Sequence, residues 1–141
     1  MLRVRCIWRW LTGVLLLTGM ASPQAAAQDW MQFGGDLDSS GSPAAPTGIT
    51  AANIASLTRR QVKLDGTVDA SAIYLHGVTV KGSKRDVFLV TTSYGKTIAV
   101  DANGGGVLWE YAPPHFGDWA GSAQITNSTP VADADREYLY A

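Results

Sequence analysis

Four side chains in one aromatic loop have the clearest potential for chemistry or binding. The stretch Ala112–Gly121 (APPHFGDWAG) contains His115, Phe116, Asp118 and Trp119 between two predicted strands. Loops on a rigid scaffold often carry binding sites, so these four side chains predict a binding loop. Because the same loop holds two prolines and two aromatic rings, packing of the loop onto the protein is the simpler alternative.

The other candidates have structural explanations. Asp101 precedes an Asn-Gly turn, where a carboxylate commonly accepts hydrogen bonds from the turn N–H groups. The glycines at 104–106 are not followed by a predicted helix, so they indicate a turn and not a phosphate site. Glu110 and Glu137 show no spacing that pairs them as the acid and base of a glycosidase. His76 is predicted to be a surface or edge residue without a partner.

The first 27 residues predict secretion. Three arginines precede an apolar core at Leu11–Ala21, and alanines at 25–27 supply a cleavage pattern. This core is shorter than the roughly 20 apolar residues that span a bilayer, so we expect a secreted or periplasmic protein without a stable membrane anchor. Cys6 is the only cysteine and lies in this segment. The remaining chain therefore contains no disulfide or cysteine metal site.

The charge beyond residue 27 argues against two classes of partner. Three of the 11 basic residues and none of the 12 acidic residues lie in the first 27, which leaves the remainder with a net charge of −4. Nucleic acids and anionic membranes are bound by clustered Lys and Arg. We therefore expect neither a nucleic acid nor an anionic membrane as a partner.

Four short apolar runs between Asp69 and Tyr111 predict one antiparallel sheet. Gly- and Asn-containing turns separate them, which is the chemistry of β-hairpins. The predicted strands are Ala72–Val80, Val87–Thr92, Thr97–Asp101 and Val107–Tyr111. An up-and-down sheet of about 40 to 45 residues is the size of one β-propeller blade, so the predicted fold class is all-β.

The remaining chain is divided around this blade. Residues 28–64 are predicted to form an N-terminal arm, with Trp30 and Phe33 as anchors, a short helix at Gly48–Leu57 capped by Thr50, and a strand at Arg60–Leu64. Residues 65–111 form the first blade and 112–126 an inter-blade loop. Residues 127–141 repeat the start of the blade and break off in its second strand. We therefore expect a truncated propeller, because roughly 4 to 8 blades are needed to close a ring.

The segment Ala99–Trp109 resembles the tryptophan-docking repeat A-x-D-x-x-T-G-K-x-x-W of propellers of the pyrroloquinoline quinone (PQQ) type. Ala99, Asp101, Gly105 and Trp109 match the repeat, whereas glycines replace its Thr and Lys. The resemblance implies that Trp109 packs between neighbouring blades and that Asp101 ties the turn.

The opening segment is similar to that of PQQ-dependent dehydrogenases. Residues 30–36 (WMQFGGD) match W-x-x-(F/Y)-G-G-D, and Ile49, Asn53 and Leu57 match the segment that follows it. Many of those enzymes have adjacent cysteines and an arginine after the first docking Trp, but residues 110–130 contain neither. The resemblance therefore implies a non-catalytic binding or scaffold propeller whose partners are further blades or other proteins. The alternative is a part of a PQQ-dependent alcohol or sugar dehydrogenase, with PQQ and Ca²⁺ bound by later blades.

Overall fold

The computed structural model describes residues 28–122 and 128–141. The predicted signal segment at 1–27 lies outside the described residues, as do the last part of the predicted inter-blade loop and residue 127. Within the described ranges, no helix has the length and apolar character needed to cross a membrane.

One four-stranded antiparallel sheet dominates the structure. Its strands are β1 (Ile73–Val80), β2 (Ser83–Thr91), β3 (Thr97–Asp101) and β4 (Val107–Tyr111), in the spatial order β1-β2-β3-β4. The first hairpin turns at Lys81 and Gly82, both of which have positive φ. The prediction of an all-β fold built on a four-stranded antiparallel sheet is confirmed. For β1, β3 and β4, both ends lie within one residue of the predicted bounds, whereas β2 begins four residues earlier than predicted.

Both faces of this sheet are apolar. On one face, which we call the hairpin face, Ile73, Val87 and Ala99 are at most 1% exposed and belong to the larger core cluster. On the opposite face, which we call the arm face, Ile98 is fully buried beside Val90 and Val100. Since a sheet with a single buried face shows polar residues on the other, this one is built to be covered on both sides.

A second, two-stranded sheet covers the hairpin face. Its strands are β5 (Val131–Ala132) and β6 (Leu139–Tyr140), which pair antiparallel. Ala132 is buried in the larger core cluster, and Leu139 packs against that cluster from the rim.

The N-terminal arm connects the two sheets. Trp30 and Tyr74 exchange two backbone hydrogen bonds of 2.7 and 2.9 Å, so the arm pairs with the edge of β1. The next residue, Met31, accepts a hydrogen bond of 2.9 Å from the Ala132 N–H on β5. Trp30 therefore anchors the arm as predicted, whereas Phe33 is 59% exposed and does not.

Two predicted elements of the arm differ from the structure. The expected helix at Gly48–Leu57 is reduced to a 3₁₀ turn at Ile54–Ser56, and Thr50 lies outside it. The residues 60–64 run without strand pairing, although Val62 and Leu64 pack as expected against the arm face. The helix did not form because Ile54 and Leu57 are more than half exposed, so no buried face stabilises it. Residues 60–64 do pack, but no neighbouring backbone pairs with them to make a strand.

Candidate functional site

Asp101 organises the turn between β3 and β4. Its Oδ1 atom accepts hydrogen bonds from the N–H groups of Asn103 (2.9 Å) and Gly104 (2.6 Å). Its Oδ2 atom accepts one of 2.7 Å from the Arg85 guanidinium on β2. The Gly104 N–H and Arg85 together lower the pKa of the Asp101 carboxyl. Asp101 therefore acts as a cap of the turn, as its position before Asn-Gly predicts.

Gly105 lets the arm approach this turn. Its φ of +75° lies in the left-handed region, and a Cβ atom there would lie 3.1 Å from Val62 Cγ2. Arg60 donates a hydrogen bond to the Asn103 carbonyl of the same turn. The glycine thus serves both the turn and the contact with residues 60–64.

Ala99 and Trp109 lie opposite each other on β3 and β4. Ala99 is fully buried, and Trp109 packs partly buried against the core cluster that includes Ala132 and has Leu139 at its rim. The indole thus lies at the junction of the first sheet and the second hairpin. A cavity of about 650 Å³ opens beside it, lined by Thr97, Trp109, Tyr111, Leu139, Tyr140 and Ala141.

The aromatic loop is held to the sheet by one side of its short helix α1 (Phe116–Trp119). The Phe116 ring meets Tyr94 edge to face at 6.2 Å, and the Lys96 ammonium lies 5.1 Å from its centroid. The Tyr94 hydroxyl donates a hydrogen bond of 2.9 Å to the Ser122 carbonyl at the end of the loop. Lys96 also pairs with Asp65. Phe116 therefore has the packing role that the sequence left as an alternative.

The other three candidates of this loop face solvent. His115 Nδ1 lies 3.5 Å from Asp118 Oδ2, and both side chains are at least 74% exposed. Trp119 is 48% exposed. His115 also has a φ of +63°, an uncommon conformation for a residue with a side chain. The structure pairs His115 with Asp118 and leaves Trp119, on the same short helix as Asp118, half exposed.

A polar cluster at a β-bulge was missed by the sequence reasoning. The register of β1 and β2 shifts between Leu75 and Val78, which leaves His76 and Gly77 opposite Asp86. Asp86 Oδ1 accepts a hydrogen bond of 2.9 Å from the Gly77 N–H and lies 2.7 Å from His76 Nδ1. The Gly77 N–H is the main cause of the lowered pKa of Asp86, and His76 adds to it. His76 is half exposed as expected, but it has a partner.

The arm face carries an open cleft of about 540 Å³. Residues 60–64 form one wall, and Phe88, which is 42% exposed, lies on the sheet side. Arg60 and Asn103 contribute polar groups at its rim. The cleft therefore combines an apolar lining from the sheet and from Val62 and Leu64 with polar groups of Arg60, Asp101 and Asn103.

The described residues do not bring together the set of side chains that a metal centre needs. Within residues 28–122 and 128–141, no three His, Cys, Asp or Glu side chains are grouped closely enough to hold a metal ion. The described residues therefore do not fit a Ca²⁺-bound quinone, and we derive no reaction step through one.

Comparison with known proteins adds no relative. No protein-family model, curated protein or solved structure matches the chain.

Proposed function

We propose that the chain is the N-terminal part of a PQQ-like β-propeller that serves as a secreted, non-catalytic binding or scaffold protein. The observation that carries the proposal is the sheet with two apolar faces, of which only the hairpin face is covered by a second sheet. Blades of a propeller stack on both sides in this way. Further blades of a longer chain are then the partner of the arm face.

The position of Trp109 supports the same assignment. The indole lies at the junction of the first sheet and the second hairpin, which supports a docking role between blades for this residue. Asp101 and Gly105 build the adjoining turn as the docking repeat requires.

The exposed side of the aromatic loop is the proposed contact surface for a protein partner. Trp119 offers a half-exposed indole on the same short helix as Asp118, and the exposed His115 directly precedes that helix. Aromatic side chains with a polar surround are common anchors of protein interfaces. The proposed contact surface depends on the propeller assignment in one respect only, namely that the loop which carries it is an inter-blade loop.

The test combines sequence and cross-linking. We expect the gene to continue beyond the codon for Ala141 with further repeats of the A-x-D…G…W spacing. A photo-reactive residue at position 119 of the full-length protein should then cross-link one defined periplasmic protein. The same residue at position 33, where Phe33 is also exposed, is the matched control. Absence of further repeats would refute the propeller, and equal labelling at both positions would refute the contact surface.

The competing function is a PQQ-dependent alcohol or sugar dehydrogenase, favoured by the similarity of residues 30–36 to the opening of those enzymes. It predicts dye-linked alcohol or sugar oxidation by the full-length protein after addition of PQQ and Ca²⁺. Activity that depends on both additions would replace the scaffold assignment.

A further inference from the structure

The outer edge of β1 is closed by two different kinds of partner. At Tyr74 the partner is a backbone, because Trp30 both donates to and accepts from Tyr74. Two residues further along the strand, at His76, the partners are two side chains. The His76 N–H donates to Asp29 Oδ1 at 2.7 Å, and the Arg136 Nη1 donates to the His76 carbonyl at 3.0 Å.

The two side chains are also joined to each other. Arg136 Nε lies 2.9 Å from Asp29 Oδ2, and the Asp29 side chain is only 13% exposed. The three contacts form a closed ring of His76 N–H to Asp29, Asp29 to Arg136, and Arg136 to the His76 carbonyl. A neighbouring antiparallel strand would satisfy the same N–H and C=O pair of His76 with one residue. The ring therefore continues the Trp30–Tyr74 ladder by one step with side-chain atoms.

We propose that Asp29 and Arg136 form a strand-mimicking clasp that closes the β1 edge against pairing with a second copy of this chain. The clasp joins three separate segments, since Asp29 lies on the arm, His76 on β1, and Arg136 in the turn between β5 and β6. The β1 residues beyond it, Val78, Thr79 and Val80, contain no charge or proline. Charged residues and prolines are what sheet edges use to repel other strands. Because this part of β1 has neither, the clasp is the feature that protects the edge.

In the described part of the chain, only the clasp binds the outward-facing backbone N–H and C=O groups of His76. Asp86 on β2 binds the His76 imidazole and the Gly77 N–H, so it satisfies the inner side of the bulge. It makes no contact with the outward N–H and C=O of His76, whose partners are Asp29 and Arg136. Removing the clasp therefore exposes one donor and one acceptor on the edge without disturbing the bulge itself.

The experiment compares Arg136→Ala with Arg85→Ala in the full chain. Arg85 is a matched control because both arginines are 43% exposed and each pairs with one aspartate, but Arg85 pairs with Asp101 away from the edge.

Amide hydrogen exchange of residues 73–80 is measured over a range of protein concentrations. At low concentration, the His76 amide of an Asp29→Ala variant should exchange about tenfold faster, the loss expected for one hydrogen bond to a charged group. At high concentration, Arg136→Ala should gain protection along β1 by pairing with a second copy, and Arg85→Ala should not.

The charge-reversed double variant Asp29→Arg with Arg136→Asp separates strand mimicry from a simple ion pair. It restores attraction between the arm and the second hairpin, but an arginine at 29 cannot accept from the His76 N–H. An aspartate at 136 likewise cannot donate to the His76 carbonyl. We expect it to show the same concentration-dependent protection of β1 as the single variants. Behaviour like that of the parent chain, or equal protection in Arg85→Ala, would overturn the proposal.

Discussion

At the scale of single residues, Asp101 combines two roles that depend on its charge. One carboxylate oxygen caps two N–H groups of the turn, and the other pairs with Arg85 on the neighbouring strand. Both contacts favour the ionised form and lower the pKa of Asp101. The turn between β3 and β4 is consequently stabilised more strongly while this aspartate is charged.

Asp101→Asn should lower the free energy of unfolding of the chain at neutral pH. In acid, where Asp101 is protonated, the substitution should leave that free energy nearly unchanged. The folded-state pKa is below the unfolded value of about 3.9, so this contribution is present above that pH and disappears as the pH falls through the folded pKa. Urea unfolding midpoints of parent and variant should differ at pH 7 and converge as the pH falls through the folded-state pKa of Asp101. A difference that is independent of pH would show that the carboxylate charge is irrelevant.

Gly105→Ala should destabilise the chain by about 1 to 2 kcal/mol, because alanine is strained at its positive φ. The new Cβ would also press on Val62. Gly106→Ala is the adjacent control, since its φ is not positive and no atom lies within 4 Å of its Cβ position. Equal urea midpoints for the two variants would contradict the role assigned to Gly105.

At the scale of elements, the sequence predicted correctly those strands whose apolar side chains are buried in the structure. The strands of the first sheet alternate between two apolar faces, and hairpin glycines mark their ends, so the pattern and the structure agree. The arm carries an equally regular pattern around Ile54, but nothing packs against it and only one 3₁₀ turn forms. Local spacing therefore predicted elements where a tertiary partner exists and overpredicted them elsewhere.

The bulge at His76 shows the other limit of sequence reasoning. A bulge depends on which residue of β2 lies opposite, and the pairing register is a non-local property. The Gly77 that follows His76, with its φ of +61°, was the available signal, because glycine inside a strand pattern often marks a bulge. The partner, Asp86, could not be identified without the register.

Phe116→Ala should release the aromatic loop while leaving the sheet folded. The ring carries the contacts with Tyr94 and Lys96, so the loop loses its main apolar attachment. Limited proteolysis should cut within residues 112–122 at least several-fold faster, whereas hydrogen exchange of β2 and β3 should stay unchanged. Trp119→Ala is the control because its indole is half exposed, and such a change usually alters stability by less than about 0.5 kcal/mol. Similar cleavage of both variants would refute the anchoring role.

At the scale of the whole molecule, the arm face determines how the chain behaves alone. One extended segment of the arm covers part of this face, and the cleft beside Phe88 remains open. Exposed apolar surface of this kind promotes association. We therefore expect the isolated 141-residue chain to associate or to fold poorly.

Phe88→Lys should reduce that association several-fold by placing a charge on the open face. Phe33→Lys is the control, because Phe33 is also an exposed phenylalanine but lies on the arm. Sedimentation at matched concentrations measures the effect. A parent chain that is monomeric and melts cooperatively would contradict the expectation directly.

The Asp101 turn also bears on how the protein ages chemically. Asn103 is followed by Gly104, the sequence most prone to spontaneous deamidation, in which the glycine nitrogen attacks the asparagine side chain and ammonia is lost. In this structure the Gly104 N–H is held by Asp101, and the Asn103 side chain binds Asp86. Both reacting groups are thus restrained, so we expect the contacts that shape the turn also to slow the deamidation of Asn103.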